Sequence, residues 1–246
     1  MFTLNCAGRL VLIDKPLVMG ILNVNEDSFY AGSRLQNNDA LLKKTFQMIQ
    51  EGADILDIGG QSTRPGSKRI AAEEELSRVL PSIELISKEF DDVLISVDTY
   101  HAQVARRAVD AGVAIINDIS AGEMDNNMIE TVAALHVPYI CMHMKGVPET
   151  MQSHAVYEDV TKELLDFFIK KINQCRLAGI KDIIIDPGFG FSKTIAQNFA
   201  LLKNLSLFKM FTIPIMAGMS RKSTIYKTLD IPIADSLNGS TALHSI

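Results

Sequence analysis

Short runs of unbroken apolar residues recur along the chain, separated by longer stretches in which apolar positions return every three or four residues. The first pattern fits a strand covered on both faces, and the second an amphipathic helix packed beside it. Such runs fall at about 17–23, 54–58, 93–97, 113–117, 138–142, 182–186 and 213–217. Between the first two, Asn38 or Asp39 can cap a helix whose Leu42, Phe46 and Ile49 share one face, and Gly52 can end it. The unit repeats. Gly52 precedes Ala53-Asp54-Ile55-Leu56-Asp57, Gly112 precedes Val113-Ala114-Ile115-Ile116-Asn117, and Gly179 precedes the run from Ile180 to Asp186. A helix-ending glycine, a buried strand and then a polar residue, repeated in this way, predict parallel strands joined by crossover helices, an α/β fold.

No Pro- or Ser-rich linker and no charge run divides the chain, so residues 1–246 read as one domain. A single TIM (β/α)8 barrel needs roughly 250 residues. A doubly wound open sheet uses the same local units and stays open as the alternative. The runs number seven, and the chain ends at Ile246 inside a helix that begins near Ser240. The expectation is a TIM-type barrel whose eighth strand lies beyond this sequence, a truncated version of a longer product. Within residues 1–16, Phe2 to Ile13 reads as a hairpin around Ala7-Gly8, placed to plug the barrel's bottom.

With 47% hydrophobic and 22% charged side chains, the chain is neither disordered nor of low complexity. A net charge of -5 argues against nucleic acid as a partner, because phosphate backbones need clustered Lys and Arg. Apolar stretches such as Leu17 to Leu22 fall far short of the roughly 18 residues of a membrane span. Asp14 and Lys15 interrupt the N-terminal apolar segment, so neither a signal peptide nor a membrane partner is expected. Cys6, Cys141 and Cys175 are odd in number, widely spaced and without CxxC, which fits a reducing cytoplasm.

Barrel enzymes carry their chemistry at the C-terminal ends of the strands. Here those ends present Asn23; Asp57 with Gln61-Ser62-Thr63-Arg64-Pro65-Gly66; Asp98; Asn117-Asp118; Met142-His143; Asp186; and Ser220-Arg221-Lys222-Ser223. Any strand leaving a core shows one such residue. An Asp after Ile183-Ile184-Ile185 is different, being costly to bury unless a donor-rich partner meets it. Asp98, Asn117 and Asp186 converging on one pocket suit a flat heterocycle with amino and lactam N–H groups, since a carboxylate accepts two parallel bonds from such an edge. Lys222 supplies a donor for a ring carbonyl or ring nitrogen. Arg64 and Arg221 suit phosphate or carboxylate, against the plainer reading of solvated surface arginines.

Asp186-Pro187-Gly188-Phe189-Gly190-Phe191 lacks both the third glycine of a dinucleotide fingerprint and the G-K-[ST] ending of a Walker loop. Its glycines, like Gly59-Gly60, fit sharp turns or close backbone approach. His101, His136, His143 and His154 show no metal-ligand spacing, and no G-x-S-x-G occurs. A loosely held Mg2+ carried with substrate phosphates remains compatible.

Seven ordered segments closely resemble the dihydropteroate synthase family, the folate-pathway enzymes targeted by sulfonamides. They are Met19 to Val24, Asp57 to Gly66, Ser96 to Thr99, Ile116 to Asp118, Met142 to Gly146, Asp186 to Phe191 and Ser220 to Ser223. The resemblance implies a barrel transferase that condenses 6-hydroxymethyl-7,8-dihydropterin diphosphate with 4-aminobenzoate, releasing diphosphate and forming dihydropteroate. It implies that Asp98, Asn117 and Asp186 hold the pterin edge, with Lys222 on its other polar atoms, and that these four carry the catalysis. Met142 and Ser220 join them in substrate binding. Thr63, Arg64 and Pro65, with Phe191 and Ser223, would shape the aminobenzoate pocket, and Asn23 would ligate Mg2+ on the departing diphosphate. The implied mechanism is dissociative and needs no nucleophilic side chain. A homodimer is implied as well.

The chain departs from the family pattern at Asn25-Glu26, where Thr-Pro is usual, and at Tyr30-Ala31-Gly32-Ser33. The family's eighth strand, with its Arg-x-His pair for the diphosphate, lies beyond Ile246. Two alternatives stand beside the synthase. A methyltransferase domain that binds methyltetrahydrofolate would share the pterin pocket without needing the Arg64-Pro65 loop. A noncatalytic pterin-binding remnant would follow from the missing strand.

Overall fold

The computed structural model describes residues 1–24, 34–63 and 66–245. Strands β1 (Phe2–Cys6) and β2 (Arg9–Ile13) form an antiparallel hairpin, with Phe2 opposite Ile13. Six strands follow in one parallel sheet: β3 (Met19–Asn23), β4 (Ile55–Gly59), β5 (Leu94–Asp98), β6 (Ile115–Asp118), β7 (Tyr139–Met142) and β8 (Ile183–Asp186). The helices are α1 (Arg34–Gln50), α2 (Ala72–Glu89), α3 (Ala102–Asp110), α4 (Met128–Leu135), α5 (Val160–Ala178), α6 (Ile195–Lys203), α7 (Ser223–Leu229) and α8 (Leu237–His244). Spatial strand order equals chain order throughout. A doubly wound sheet must reverse its order at a switch point, so the open alternative is excluded in favour of TIM-barrel winding.

Side chains alternate between two layers along each strand. Leu56, Ile58, Ile95, Val97 and Ile116 face outward into a core completed by helix residues such as Val79, Ile83, Val104 and Phe168. Ile55, Leu94, Ile115, Ile140 and Ile184 face inward and form a second core with Leu4 and Cys6 of the hairpin. The hairpin is stitched to the barrel at two separated places. Arg9 Nη1 donates to the Asp92 carbonyl (2.8 Å), and the Asn5 N–H to Asp182 Oδ2 (3.1 Å). Local signals act where the sequence places them: Asp159 caps α5 through the N–H groups of Thr161 and Lys162, and Gly179 ends it at φ 102°.

Three expectations need correction. The run at 213–217 is not a ladder strand but a single parallel bridge between Ile185 and Ile215. It is held by Ile185 N–H to Pro214 O (3.1 Å) and Met216 N–H to Ile185 O (2.8 Å). Pro214 has no N–H to donate, and among the described residues no strand pairs with its far side, so the barrel does not close. For the same reason Ile21, on edge strand β3, is 64% exposed. The helix expected to start at Asn38 or Asp39 begins at Arg34, and it buries Leu41 and Thr45 while Phe46 is 55% exposed. The last helix begins at Leu237 rather than near Ser240.

Candidate active site

The inward layer turns polar one step above the apolar floor. Register sets Asp57 beside Ser96, Gly59 beside Asp98, Asp98 beside Asn117, and Met142 beside Asp186. Asn117 Nδ2 donates to Asp57 Oδ2 at 2.9 Å. The other face of each of these groups is unspent. Among the described residues, Asp98 Oδ1 and Asn117 Oδ1 are shielded from solvent yet have no hydrogen-bond partner. Asp57 Oδ1 has none of good geometry either, although the nearby Ser96 hydroxyl eases its charge. Buried acceptors without donors are costly and therefore uncommon, and they point to a ligand that brings N–H groups.

Burial pushes the Asp98 carboxyl well above the usual carboxylate range, and the negative charges of Asp57, Glu75 and Asp118 push it further. Burial raises Asp57 as well, opposed by hydrogen bonds from Ser96 and Asn117 and reinforced by Asp186. Asp186 is raised by burial and eased by Lys222, the Gly188 N–H and Lys193. Its Oδ1 accepts the Gly188 N–H at 2.8 Å. Lys222, at the N-cap of α7, donates to the Phe189 carbonyl, and its Nζ stands 4.8 Å from the centre of the Phe191 ring. Burial lowers its pKa, and Asp186 opposes that shift.

The two loop glycines work indirectly. A Cβ at Gly188, where φ is 69°, would lie 2.2 Å from the His143 carbonyl oxygen; at Gly190 it would lie 3.0 Å from Lys222 Cδ. The close approach is therefore between loop, β7 end and Lys222, which seats the cation.

The structure thus brings Asp98, Asn117, Asp186 and Lys222 to one inner rim, and packs Met142 with Tyr100, Met144 and Phe191 alongside. Asn23 ends β3 with its side chain facing the same space: a Cβ at Gly59 would lie 3.5 Å from Asn23 Oδ1 and 3.7 Å from Asp98 Oδ2. Thr63 and Ser223 are half-buried and Ser220 is exposed. Arg221 is exposed, and its N–H donates to Ser240 Oγ (2.9 Å). Arg64 and Pro65, and the departures at Asn25-Glu26 and Tyr30 to Ser33, lie outside the described residues. Among the described residues no group of three or more His, Cys, Asp or Glu could hold a metal.

The sequence marks Asp57 as a polar strand end without giving it a role; the structure supplies one, as the acceptor of the Asn117 side-chain N–H. Sequence reasoning missed a buried network around Gln61 and Glu75. Gln61 Nε2 donates to Glu75 Oε2 (3.0 Å), Thr99 Oγ1 donates to the same oxygen (3.1 Å), and Tyr100 OH donates to Gln61 Oε1. Burial pushes Glu75 up to about 7, against those hydrogen bonds and the charges of Arg78 and Arg69.

Fold and site define a β/α-barrel enzyme whose inner rim sets interior acids and an amide beside a half-buried lysine. Residues 19–246 match the family model described as pterin binding enzyme. The dihydropteroate synthase of Haemophilus influenzae is 43% identical over 229 residues, covering 92% of this chain and 82% of that protein, and the Escherichia coli K12 enzyme is 42% identical over 237 residues, covering 96% and 83%. The solved Xanthomonas albilineans dihydropteroate synthase with 4-aminobenzoic acid superposes with a TM-score of 0.89 at 40% identity, covering 98% of this chain and 87% of that one. The chain belongs to the pterin-binding enzyme family and, within it, to the dihydropteroate synthases, which are transferases.

Proposed function

We propose that this chain condenses 6-hydroxymethyl-7,8-dihydropterin diphosphate with 4-aminobenzoate, forming 7,8-dihydropteroate and diphosphate. The carrying observation is the pair of buried, donorless acceptors, Asp98 Oδ1 and Asn117 Oδ1, on the rim that also carries Asp186 and Lys222. The ring's amino and lactam N–H groups satisfy those acceptors and meet the carboxylate of Asp186. Lys222 donates to the ring carbonyl or a ring nitrogen. Once the ring is held, the C–O bond to diphosphate breaks and the aminobenzoate nitrogen forms the new C–N bond to the methylene, its proton passing to solvent. No side chain acts as nucleophile; the chain contributes positioning and a matched field.

Thr63, Arg64 and Pro65 with Phe191 and Ser223 are the residues assigned to the aminobenzoate side, and Met142 and Ser220 to substrate binding more generally. Asn23 is assigned to Mg2+. Among the described residues its donor set is an amide oxygen outside any group of three or more His, Cys, Asp or Glu, which fits a cation arriving with phosphate oxygens. When bound, the ion supplies charge neutralisation on the leaving diphosphate. A cytoplasmic location agrees with three free cysteines, Cys6, Cys141 and Cys175. A homodimer follows from the resemblance, and sedimentation equilibrium measures it.

Incubation with the pterin diphosphate, labelled 4-aminobenzoate and Mg2+ tests the reading: labelled dihydropteroate is the expected product. The unclosed sheet favours one competitor, a noncatalytic pterin binder, and pterin binding without any product would establish that reading instead.

A further inference from the structure

The reaction just proposed leaves one buried cation unused. Lys193 follows the loop after β8, and its ammonium meets acceptors only: the carbonyls of Gly188 (3.0 Å), Phe191 (3.0 Å) and His143 (3.4 Å), and His143 Nδ1 (3.1 Å). Buried lysines are rare unless paired, and among the described residues no carboxylate is ion-paired with this one. Three N–H groups match Gly188 O, Phe191 O and His143 Nδ1, which requires the imidazole to carry its proton on Nε2. Burial, then the charges of Lys193 and Lys145, lower the His143 pKa far enough to keep that ring neutral. The clasp closes on the loop whose Gly188 N–H binds Asp186 and whose Phe189 carbonyl takes Lys222.

We propose that Lys193 is a positioning residue for the pterin half of the site, setting its ammonium behind the loop that binds Asp186 and fixing the Phe189 carbonyl and Phe191 ring that seat Lys222. This role rests on the pterin reading above and extends it to a side chain that does not itself reach the ring. The charged and titratable groups around Lys193 are Asp186 at the end of β8, Lys222 at the start of α7, and Lys145 and His143 after β7, while Asp57 on β4 acts on Asp186. Lys222 and Lys193 both ease the charge on Asp186, whereas Asp57 repels it. Asp186 favours the ammonium of Lys193, but burial, Lys222 and Lys145 bring its pKa down to about 7.

The test is a calorimetric titration of 6-hydroxymethylpterin against pH, with the unaltered chain, Lys193→Met and Lys193→Arg. Methionine fills the space without charge, so Asp186 takes up a proton more readily and affinity falls about tenfold at pH 6. At pH 8, where Lys193 has largely lost its own proton, the fall is at most about threefold. Arginine keeps the charge and restores the acid side of the profile. Partial unfolding lowers the binding stoichiometry rather than the affinity. Should the methionine variant not fold, the arginine profile and 15N NMR of His143 in the unaltered chain decide, the latter expecting an unprotonated Nδ1. Equal losses at both pH values, an arginine variant that fails to restore the acid side, or a proton resident on Nδ1 would each overturn the role of Lys193. Absence of pterin binding by the unaltered chain would instead sink the functional reading.

Discussion

Asp98→Asn separates binding from folding because the two should move in opposite directions. The substitution keeps the shape of the side chain but replaces one carboxylate oxygen with an NH2 group and removes a charge. Asp98 Oδ1 has no protein donor to lose, so the folded apo chain gives up no hydrogen bond at that atom. It gains relief from burial and from the repulsion of Asp57, Glu75 and Asp118, the causes that raise the carboxyl. A raised carboxyl pKa means stability is greatest while the proton is held and declines as pH rises through the folded-state value. At pH 7.5 the asparagine variant should therefore melt higher, each 1 kcal/mol of relief appearing as about 2 to 4 °C in a chain of this size. Pterin binding should weaken, because a charge-assisted bond worth about 1.5 to 3 kcal/mol is lost and an amide donor now faces ligand N–H groups. That corresponds to about a 10- to 150-fold rise in Kd. Differential scanning calorimetry gives the first quantity and isothermal titration with 6-hydroxymethylpterin the second. A variant that melts lower while binding the pterin as well as the unaltered chain would show that Asp98 serves the fold, and the argument from donorless acceptors would fail.

Asp186→Ala is expected to abolish pterin binding, whereas Arg64→Ala mainly raises the KM for 4-aminobenzoate; equal losses of both substrates in both variants, by calorimetry and initial rates, would contradict that division. Glu75 is raised from its ordinary 4.5 to about 7, so it contributes stability below pH 4.5 that is lost as pH rises to about 7. Glu75→Gln should flatten the fall in Tm between pH 5 and pH 8, and an unchanged slope would place the titration elsewhere. Chelation of Mg2+ or Asn23→Ala should slow product formation by about tenfold or more while leaving the affinity for 6-hydroxymethylpterin, which has no phosphate, unchanged; a loss of pterin affinity would remove Asn23 from the metal role.

The winding of the fold was legible because parallel strands buried on both faces write themselves as unbroken apolar runs, and β4 to β8 lie where those runs lie. The run at 213–217 misled because apolarity marks burial, whereas a ladder also needs N–H donors and a second neighbour, which Pro214 and the open side withhold. Phe46 misled for a related reason: a helical stripe defines a face only when something packs on it. At the site, Asp98, Asn117, Asp186 and Lys222 were readable as polar residues ending buried strands. Glu75 and Lys193 were not, and the role of Asp57 was not, since each takes its meaning from a contact across the barrel or the chain. Glu75 looks like any acid in a helix's first turn until Gln61 and Thr99 are seen against it. Lys193 looks like a loop lysine until four acceptors surround it.

The hairpin at the floor bears on how this sheet keeps its curl. Its anchors at Asp92 and Asp182 sit before β5 and β8, two staves of the same cask, so the ribbon works as a hoop across their lower ends. With the hoop cut, those staves would be free to splay, and the spacing of acids at the upper mouth would widen although no residue there had changed. Mutations in the first thirteen residues can therefore blunt recognition from the opposite end of the molecule.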